Sequence, residues 1–415
     1  MLLTGGDYMR YIKNGSIFED DSVYTTGVEE VSINSGIDIN YFFKGVNRHT
    51  IKPVFRIRLL SHTESVIRDI TEYVTSGSMS ISYESGQRRT MNLEIINFDG
   101  TLTPKGNEWL WGDNRFSLEC GIIVQNLCIW CPQGIYVPQN ISENKHKSTV
   151  SVSLADKFSL FGKTNAMYTI YSNSKIFDIV QSLLYNLNED GFYTANRDNS
   201  PFIFPVEYKD TNIQYKISKD IGEEYSSIIK EAAEVISCDV YYNERGILTY
   251  EPQKYDIGCL TQPILWKFDV NDMCMTDNKS TVNFSQTINH IVVTGNVMNG
   301  KLFEADVKNT NPSSPFSTDK IGDKIKVIKD TNLYSDWLCL DRANYELIKE
   351  SRNSLTKNYS CTYIPHLDVN KLIIQEDENG VYKKFLTQSV NMSFNNSENG
   401  VEVGLVDVSQ LPFVV

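Results

Sequence analysis

The chain contains no apolar run approaching the roughly 20 residues of a membrane-spanning helix. Its opening, MLLTGGDYMRYIKNGSIFEDD, lacks the basic start and apolar block of a secretory signal. Both absences point to a protein made in a cytoplasm, without stable membrane binding, that does not leave by the general secretory route. Basic residues are in deficit: 39 Lys and Arg stand against 52 Asp and Glu, a net charge of −13. That balance argues against phosphate-backbone binding as the main role, because such binding needs a basic footprint. Histidine is scarce as well. The 5 residues, His49, His62, His146, His290 and His366, are isolated in sequence, and each reads as a surface or satisfied core residue. The 8 cysteines are scattered along the chain, which favours reduced, half-buried thiols over a disulfide framework. The close pair, Cys128 and Cys131, sits in CGIIVQNLCIWC, which reads as strand and sends the two side chains to opposite faces. No second Cys-x-x-Cys completes a zinc site, and no metal or cofactor is expected.

What is present is ordinary globular composition, 41% hydrophobic and 22% charged over 415 residues, a length that implies two or three domains. Residues 1–51 are polar and irregular, an arm. From residue 53 the apolar period becomes two. FRIRLL places Phe55, Ile57 and Leu59 on one face and Arg56 and Arg58 on the other. SMSISY aligns Met79, Ile81 and Tyr83; TMNLEI aligns Met91, Leu93 and Ile95; STVSVSL aligns Val150, Val152 and Leu154. Half-buried antiparallel strands read this way. ESGQ, residues 84–87, is a turn between two of them, and LADKFSLFGK a short helical piece closing the region.

The texture then changes. SKIFDIVQSLLYNL carries Ile176, Val180, Leu183, Leu184 and Leu187 on one helical face. A second stripe, Tyr225, Ile228, Ile229, Ala232 and Ile236, leads into a hairpin turning at Glu244-Arg245-Gly246. After Pro263 strands return. Hairpin tips are expected at Asn299-Gly300, Asn379-Gly380 and Asn399-Gly400, the preferred two-residue turn. A helix is expected over 333–351, marked by Trp337, Leu340, Tyr345 and Ile348. The fold class is therefore mainly β with an α+β insert. The expected division is 1–51 arm, 52–163 first β-barrel, 164–262 small α+β domain, and 263–415 second β-barrel with one helix.

Two motifs imitate active sites. NFDGTLT, residues 97–103, is one residue from the Asp-x-Asp-Gly-Thr-Leu/Val-Thr signature of haloacid-dehalogenase-type phosphotransferases. In that chemistry the first carboxylate attacks phosphorus, and Asn97 stands in its place. The preceding RRTMNLEI alternates, whereas the signature ends a continuously apolar parallel strand. Asp99 and Gly100 therefore read as a turn. GNVMNGKL, residues 295–302, imitates a phosphate-binding loop, but Leu302 replaces the Ser or Thr that holds magnesium, and a strand rather than a helix follows. No catalytic, cofactor-binding or metal-binding residue is assigned, and binding residues are not readable.

Taken in order, several stretches resemble the baseplate-hub family of tailed bacteriophages and related contractile injection systems. DITEYVTSGSMSISYESGQRRTMNLEIINFDGTLTP looks like the first hub barrel, SSIIKEAAEVISCDVYYNERGILTYEP like the middle domain, and INHIVVTG like the strand opening the second barrel. ANYELIKESRNSLTKNYSCTYIPHLDVNKLIIQ resembles the late helix and following strands. The resemblance covers most of residues 52–410 and leaves the first 50 uncovered. It implies tube-type β-barrels and a homotrimer whose six barrels form a ring on a sixfold tail tube. Implied partners are the tail tube or distal tail protein, the tape-measure protein and a tip, spike or fibre protein, with DNA present only in transit. Acidic walls would repel the phosphate backbone and keep that passage free. The implied location is the virion tail, and the implied role is structural, not enzymatic. With the chain ending at SQLPFVV, no lysin or fibre domain is carried over. A distal-tail or receptor-binding component is the alternative, and a phosphate- or glycan-processing enzyme the remote one.

Overall fold

The computed structural model describes residues 9–13, 16–20, 23–25, 28–32, 51–84, 86–98, 114–124, 127–144, 146–162, 169–185, 198, 200–213, 216–252, 264–268, 275–279, 287–298, 300–361, 363–376, 379–395 and 399–413. The period-two segments are strands, and their apolar residues turn inward. Met91, Leu93 and Ile95 of Arg89–Ile96 are buried, as are Val150, Val152 and Leu154 of Thr149–Asp156. On Ile51–Leu60 the inward side chains Ile57 and Leu59 are fully buried, while Arg56 and Arg58 on the other face share Glu119 at 2.7 and 3.5 Å.

Among the described residues, fifteen strands make one large sheet, so the fold is mainly β. Its path begins with Met275–Lys279, Lys357–Cys361, Asn399–Asp407 and Tyr382–Asn395. It continues through Val74–Ser82, Arg89–Ile96, Thr149–Asp156, Leu127–Asn144, Arg115–Val124, Ile51–Leu60 and Val66–Asp69. The step between the two β-rich halves is the antiparallel pair of Tyr382–Asn395 with Val74–Ser82, which sets Val390 opposite Ile81 and Met392 opposite Met79. One apolar core follows from that pairing: Ile57, Met91, Leu118 and Val152 pack in the same cluster as Phe385, Val390, Phe394 and Val403. At the step, Gly77 lies opposite Phe394, and a Cβ on it would run into that ring and reach 3.0 Å from Leu93.

The α+β insert has its own core. Ile176–Tyr185 and Tyr225–Val235 are helices, Thr169–Ser172 pairs with Lys216–Lys219, and Cys238–Tyr242 pairs with Leu248–Pro252. Ile179, Val180 and Leu183 pack with Ile228, Ile229, Ala232, Val240 and Leu248. Phe158 and Phe161, from the 3-10 turn Lys157–Phe161, enter the same cluster. The hairpin turns at Glu244-Arg245-Gly246 as expected. Gly246 takes φ +71°, and the Asn243 side chain accepts the N–H groups of Arg245 and Ile247 at 3.0 Å each.

The second half also carries a three-stranded sheet, in the order Lys301–Lys308, His290–Met298, Ile325–Lys329. A long helix covers one face, bringing Cys339, Ala343 and Leu347 onto Ile291, Val293 and Val307. That helix spans Asp336–Leu355, not 333–351, because the Ser335 side chain caps it by accepting the Leu338 N–H at 3.2 Å. Leu340, Tyr345 and Ile348 are inward or half-buried as expected, but Trp337 is 68% exposed. It precedes Cys339 by two residues, about 200° around the helix from the buried stripe. Of the three expected tips, Gly300 closes a two-residue turn with φ +77° between Met298 and Lys301. Asn379 and Gly380 instead lie between Glu376 and its partner Tyr382, which are too far apart in the chain for a two-residue turn. Asn399 and Gly400 sit within the ladder opposite Phe394 and Ser393, not at a tip. Asp99, Gly100, His49, Leu187 and Asn299 lie outside the described residues.

Gly77→Ala is expected to force apart the strand pair that joins the two halves, at a cost of about 1–3 kcal/mol. Thermal unfolding should show a lower Tm with the β-rich halves still melting in a single transition; an unchanged Tm would contradict the close packing at Phe394.

Candidate functional site

Neither look-alike motif keeps an active-site setting. Asn97 follows Arg89–Ile96, a strand flanked by antiparallel neighbours on both sides, and its N–H donates to the Ser148 carbonyl at 2.7 Å. Phe98 beside it is 80% exposed. The 295–302 motif is the tip of the His290–Met298/Lys301–Lys308 hairpin, and no helix follows it. Cys128 and Cys131 are both in the strand Leu127–Asn144; Cys131 is buried in the shared core. His146 is exposed and His62 half-buried. His366 lies against Trp266, with ring centroids 5.5 Å apart, and buried His290 shares a 2.7 Å hydrogen bond with Asp306. Among the described residues, no group of three or more His, Cys, Asp or Glu side chains could hold a metal ion, and no helix is long and apolar enough to cross a membrane.

The polar chemistry is concentrated elsewhere, where the insert meets the sheet. Lys157, the first residue of the 3-10 turn, is completely buried. Its Nζ lies 2.5 Å from Glu64 Oε1 and 2.8 Å from Asp198 Oδ2. Arg115 Nη1 reaches the same two carboxylates at 2.5 and 3.5 Å. Tyr242 donates its hydroxyl to Asp198 at 2.9 Å, and the Ser200 N–H donates at 3.0 Å. Burial alone would raise the Asp198 pKa. The attraction and hydrogen bond of Lys157, with help from Ser200 and Arg115, outweigh it and hold the carboxyl below the ordinary range.

A second cluster is built on Arg88 and Arg89, both buried. Arg89 shares the inward phase of Met91, Leu93 and Ile95, so its guanidinium enters the core side of the strand. There it meets Asp368 at 2.8 Å and the Gln133 carbonyl at 3.4 Å. The Arg88 guanidinium lies 3.5 Å from the Tyr241 ring centroid, and its Nη2 is 3.6 Å from Asp239. Asp239 also accepts from Tyr83 at 2.6 Å and Tyr345 at 3.3 Å, while Arg352 covers the Tyr83 ring at 3.7 Å. Burial pushes the Tyr83 hydroxyl far up, so it remains a donor. Asp156 anchors the backbone here: it accepts the N–H groups of Arg88 and Arg89 at 2.9 Å each and that of Phe158 at 3.1 Å. Burial lifts its carboxyl to about 6, against the opposing pull of those N–H groups. Beside the cluster opens a cleft of about 610 Å³, lined in part by Tyr83, Lys230, Cys238, Arg342 and Gln388.

Buried charges of this kind are costly unless paired, and here each is met by an opposite charge, ring or N–H group. The arrangement fixes the orientation of the insert against both halves of the sheet. Sequence reading missed it because the partners are distant in the chain, as with Arg89 and Asp368. The available signal was Arg89 itself, a charge in the inward phase of an apolar alternation.

With this geometry established, comparison with solved structures defines the class. The 43 kDa tail protein of prophage MuSo2 from Shewanella oneidensis is similar at 12% identity and a TM-score of 0.57, over 86% of this chain and 99% of that one. The tail protein from Neisseria meningitidis MC58 is similar at 9% identity and a TM-score of 0.56, over 86% and 99%. The chain thus has the mainly β fold of tail proteins, and the expected likeness to phage tail components holds at the level of fold. Within it, residues 313–405 match a family described as Domain of unknown function (DUF5048). No curated protein matches the chain.

The raised Asp156 carboxyl has a stability consequence. With a folded value of about 6 against an ordinary 3.8, the folded state holds a proton that the unfolded chain has released between those limits. Its contribution is therefore present at about pH 4 and is lost as pH rises to about 6, by about 3 kcal/mol. Asp156→Asn cannot titrate and presents an N–H where an acceptor is needed. Denaturant unfolding should show it destabilised at both pH 4 and pH 7, with the larger penalty at pH 4; an equal penalty would contradict the raised value.

Proposed function

We propose that this protein is a structural component of a phage-type tail, the trimeric hub that connects a sixfold tail tube to the tail tip. The observation that carries the reading is the fold likeness to two tail proteins over nearly their whole lengths, 99% of each. In this reading residues 52–163 and 263–415 supply two tube-type units per subunit, and 164–262 decorates the ring they form. The shared sheet and core support such a role, since a ring that bears load benefits from units locked side by side. Neighbours would be the tube or distal tail protein, the tape-measure protein, and a tip, spike or fibre protein, all in the virion tail. DNA would cross the bore without binding, consistent with a net charge of −13. The role is structural rather than enzymatic.

Purified protein mixed with its tail partners should give a trimer mass and threefold rings by negative-stain microscopy. A chain that stays monomeric with those partners present and joins no tail would sink the proposal. Turnover of a generic phosphate ester that Asp99→Asn abolishes would instead restore the enzymatic reading.

A further inference from the structure

Two antiparallel hairpins make up the described part of the N-terminal arm, Met9–Lys13 with Ser16–Asp20 and Val23–Thr25 with Val28–Ser32. The second hairpin joins the large sheet. Val28–Ser32 runs parallel to the start of Leu127–Asn144 and sets Glu29, Glu30, Val31 and Ser32 opposite Leu127, Cys128, Ile129 and Trp130. On its other side the same stretch, 127–130, is paired with residues 121–124 of Arg115–Val124. Thr149–Asp156 pairs with Leu127–Asn144 only from Tyr136 onward. The arm strand thus covers a stretch that no other described strand pairs on that side. Left uncovered, those main-chain groups would be an open edge, ready to pair with another chain.

The connection from the arm to the next strand is far longer than its span requires. From Val28–Ser32 to Ile51–Leu60 the sheet order passes Leu127–Asn144 and Arg115–Val124, three strand spacings or about 14 Å. Ser32 lies in the row of Trp130, Gly121 and Val54, and Ile51 is about 10 Å further along its strand. The two ends are therefore about 17 Å apart across the sheet. Residues 33–50 can extend over about 60 Å. Compact domains usually join their elements with about 4–6 residues, so this length calls for a reason.

We propose that Val28–Ser32 is exchanged between subunits: in the assembled protein it pairs with the 127–130 edge of a neighbouring copy, and each arm fastens one subunit to the next. The inference rests on the threefold ring proposed above, in which every subunit has a copy on either side. A strand added to an edge is held by main-chain hydrogen bonds, so the same ladder forms whichever copy supplies the strand. Exchange of identical elements is a low-cost route to association, and head-to-tail contacts that close into a ring leave no edge open. The spare length of about 40 Å is what lets the arm cross to the neighbour.

The register supplies the test. Cys128 stands opposite Glu30, so Glu30→Cys sets a second thiol across the ladder from a native one. The full-length variant is assembled with its tail partners, oxidised with oxidised glutathione and run on a non-reducing denaturing gel. Native mass measurement reports the trimer, and peptide mass spectrometry identifies the linked positions. Exchange predicts a shift of most chains to covalent dimers and trimers joined between position 30 and Cys128, lost when Cys128→Ser is added. Trimers whose link stays within single chains overturn the exchange and leave the hub reading standing. Trimers with no such link of either kind overturn it as well, since the ladder is then absent. A sample without trimers overturns the hub reading and the exchange together.

Discussion

The antiparallel pairing of Tyr382–Asn395 with Val74–Ser82 is the contact on which the rest of the architecture depends. Closing a loop of about 300 residues carries an entropic cost, although that cost grows only slowly with loop length. What offsets it is the burial that the pairing makes possible, in which strands from both ends of the chain turn their apolar faces into one core. Close approach at the step needs a residue without a side chain. Gly77 supplies it, and Phe394 fills the space. Were the two strands apart, each half would present an unpaired sheet edge, a surface prone to non-specific association.

Around that sheet the molecule uses two kinds of joint. Apolar joints hold the β-rich halves to each other, and the long helix to the three-stranded sheet. Ionic joints set the insert: Lys157 with Glu64 and Asp198, and Arg88 with Asp239 and two tyrosine rings. Apolar packing tolerates small rotations, whereas charged groups buried with few partners accept a narrow range of geometries. A body that must present an attached unit at a defined angle is well served by that combination. This division is consistent with an assembly role, in which orientation matters more than reaction chemistry.

The phosphatase look-alike shows why a short motif needs its context. Asn97 removes the attacking carboxylate, and the alternation of Arg89–Ile96 belongs to an antiparallel sheet with a buried face and an exposed one. The same alternation that disqualifies the motif gives the strand its inward residues, including Arg89.

Much of the fold was legible in the sequence because period and turn chemistry are local. Met91-Leu93-Ile95, Val150-Val152-Leu154 and the stripe Ile228-Ile229-Ala232 point inward as their spacing requires. The turn at Gly300 also follows from residue type. Legibility failed where a single capping side chain or the pairing register decided the outcome. Ser335 rather than the apolar pattern sets the start of the long helix, and ladder register moves Asn399-Gly400 out of the turn. Local period and turn chemistry dictate the mainly β character, the inserted α+β unit and the faces that are buried. That the two β-rich halves are one sheet, and that Arg89 faces Asp368 and Lys157 faces Asp198, follows from contacts between distant parts of the chain. Periodicity reports which side of a strand turns inward, but the partner waiting there depends on contacts far apart in the chain.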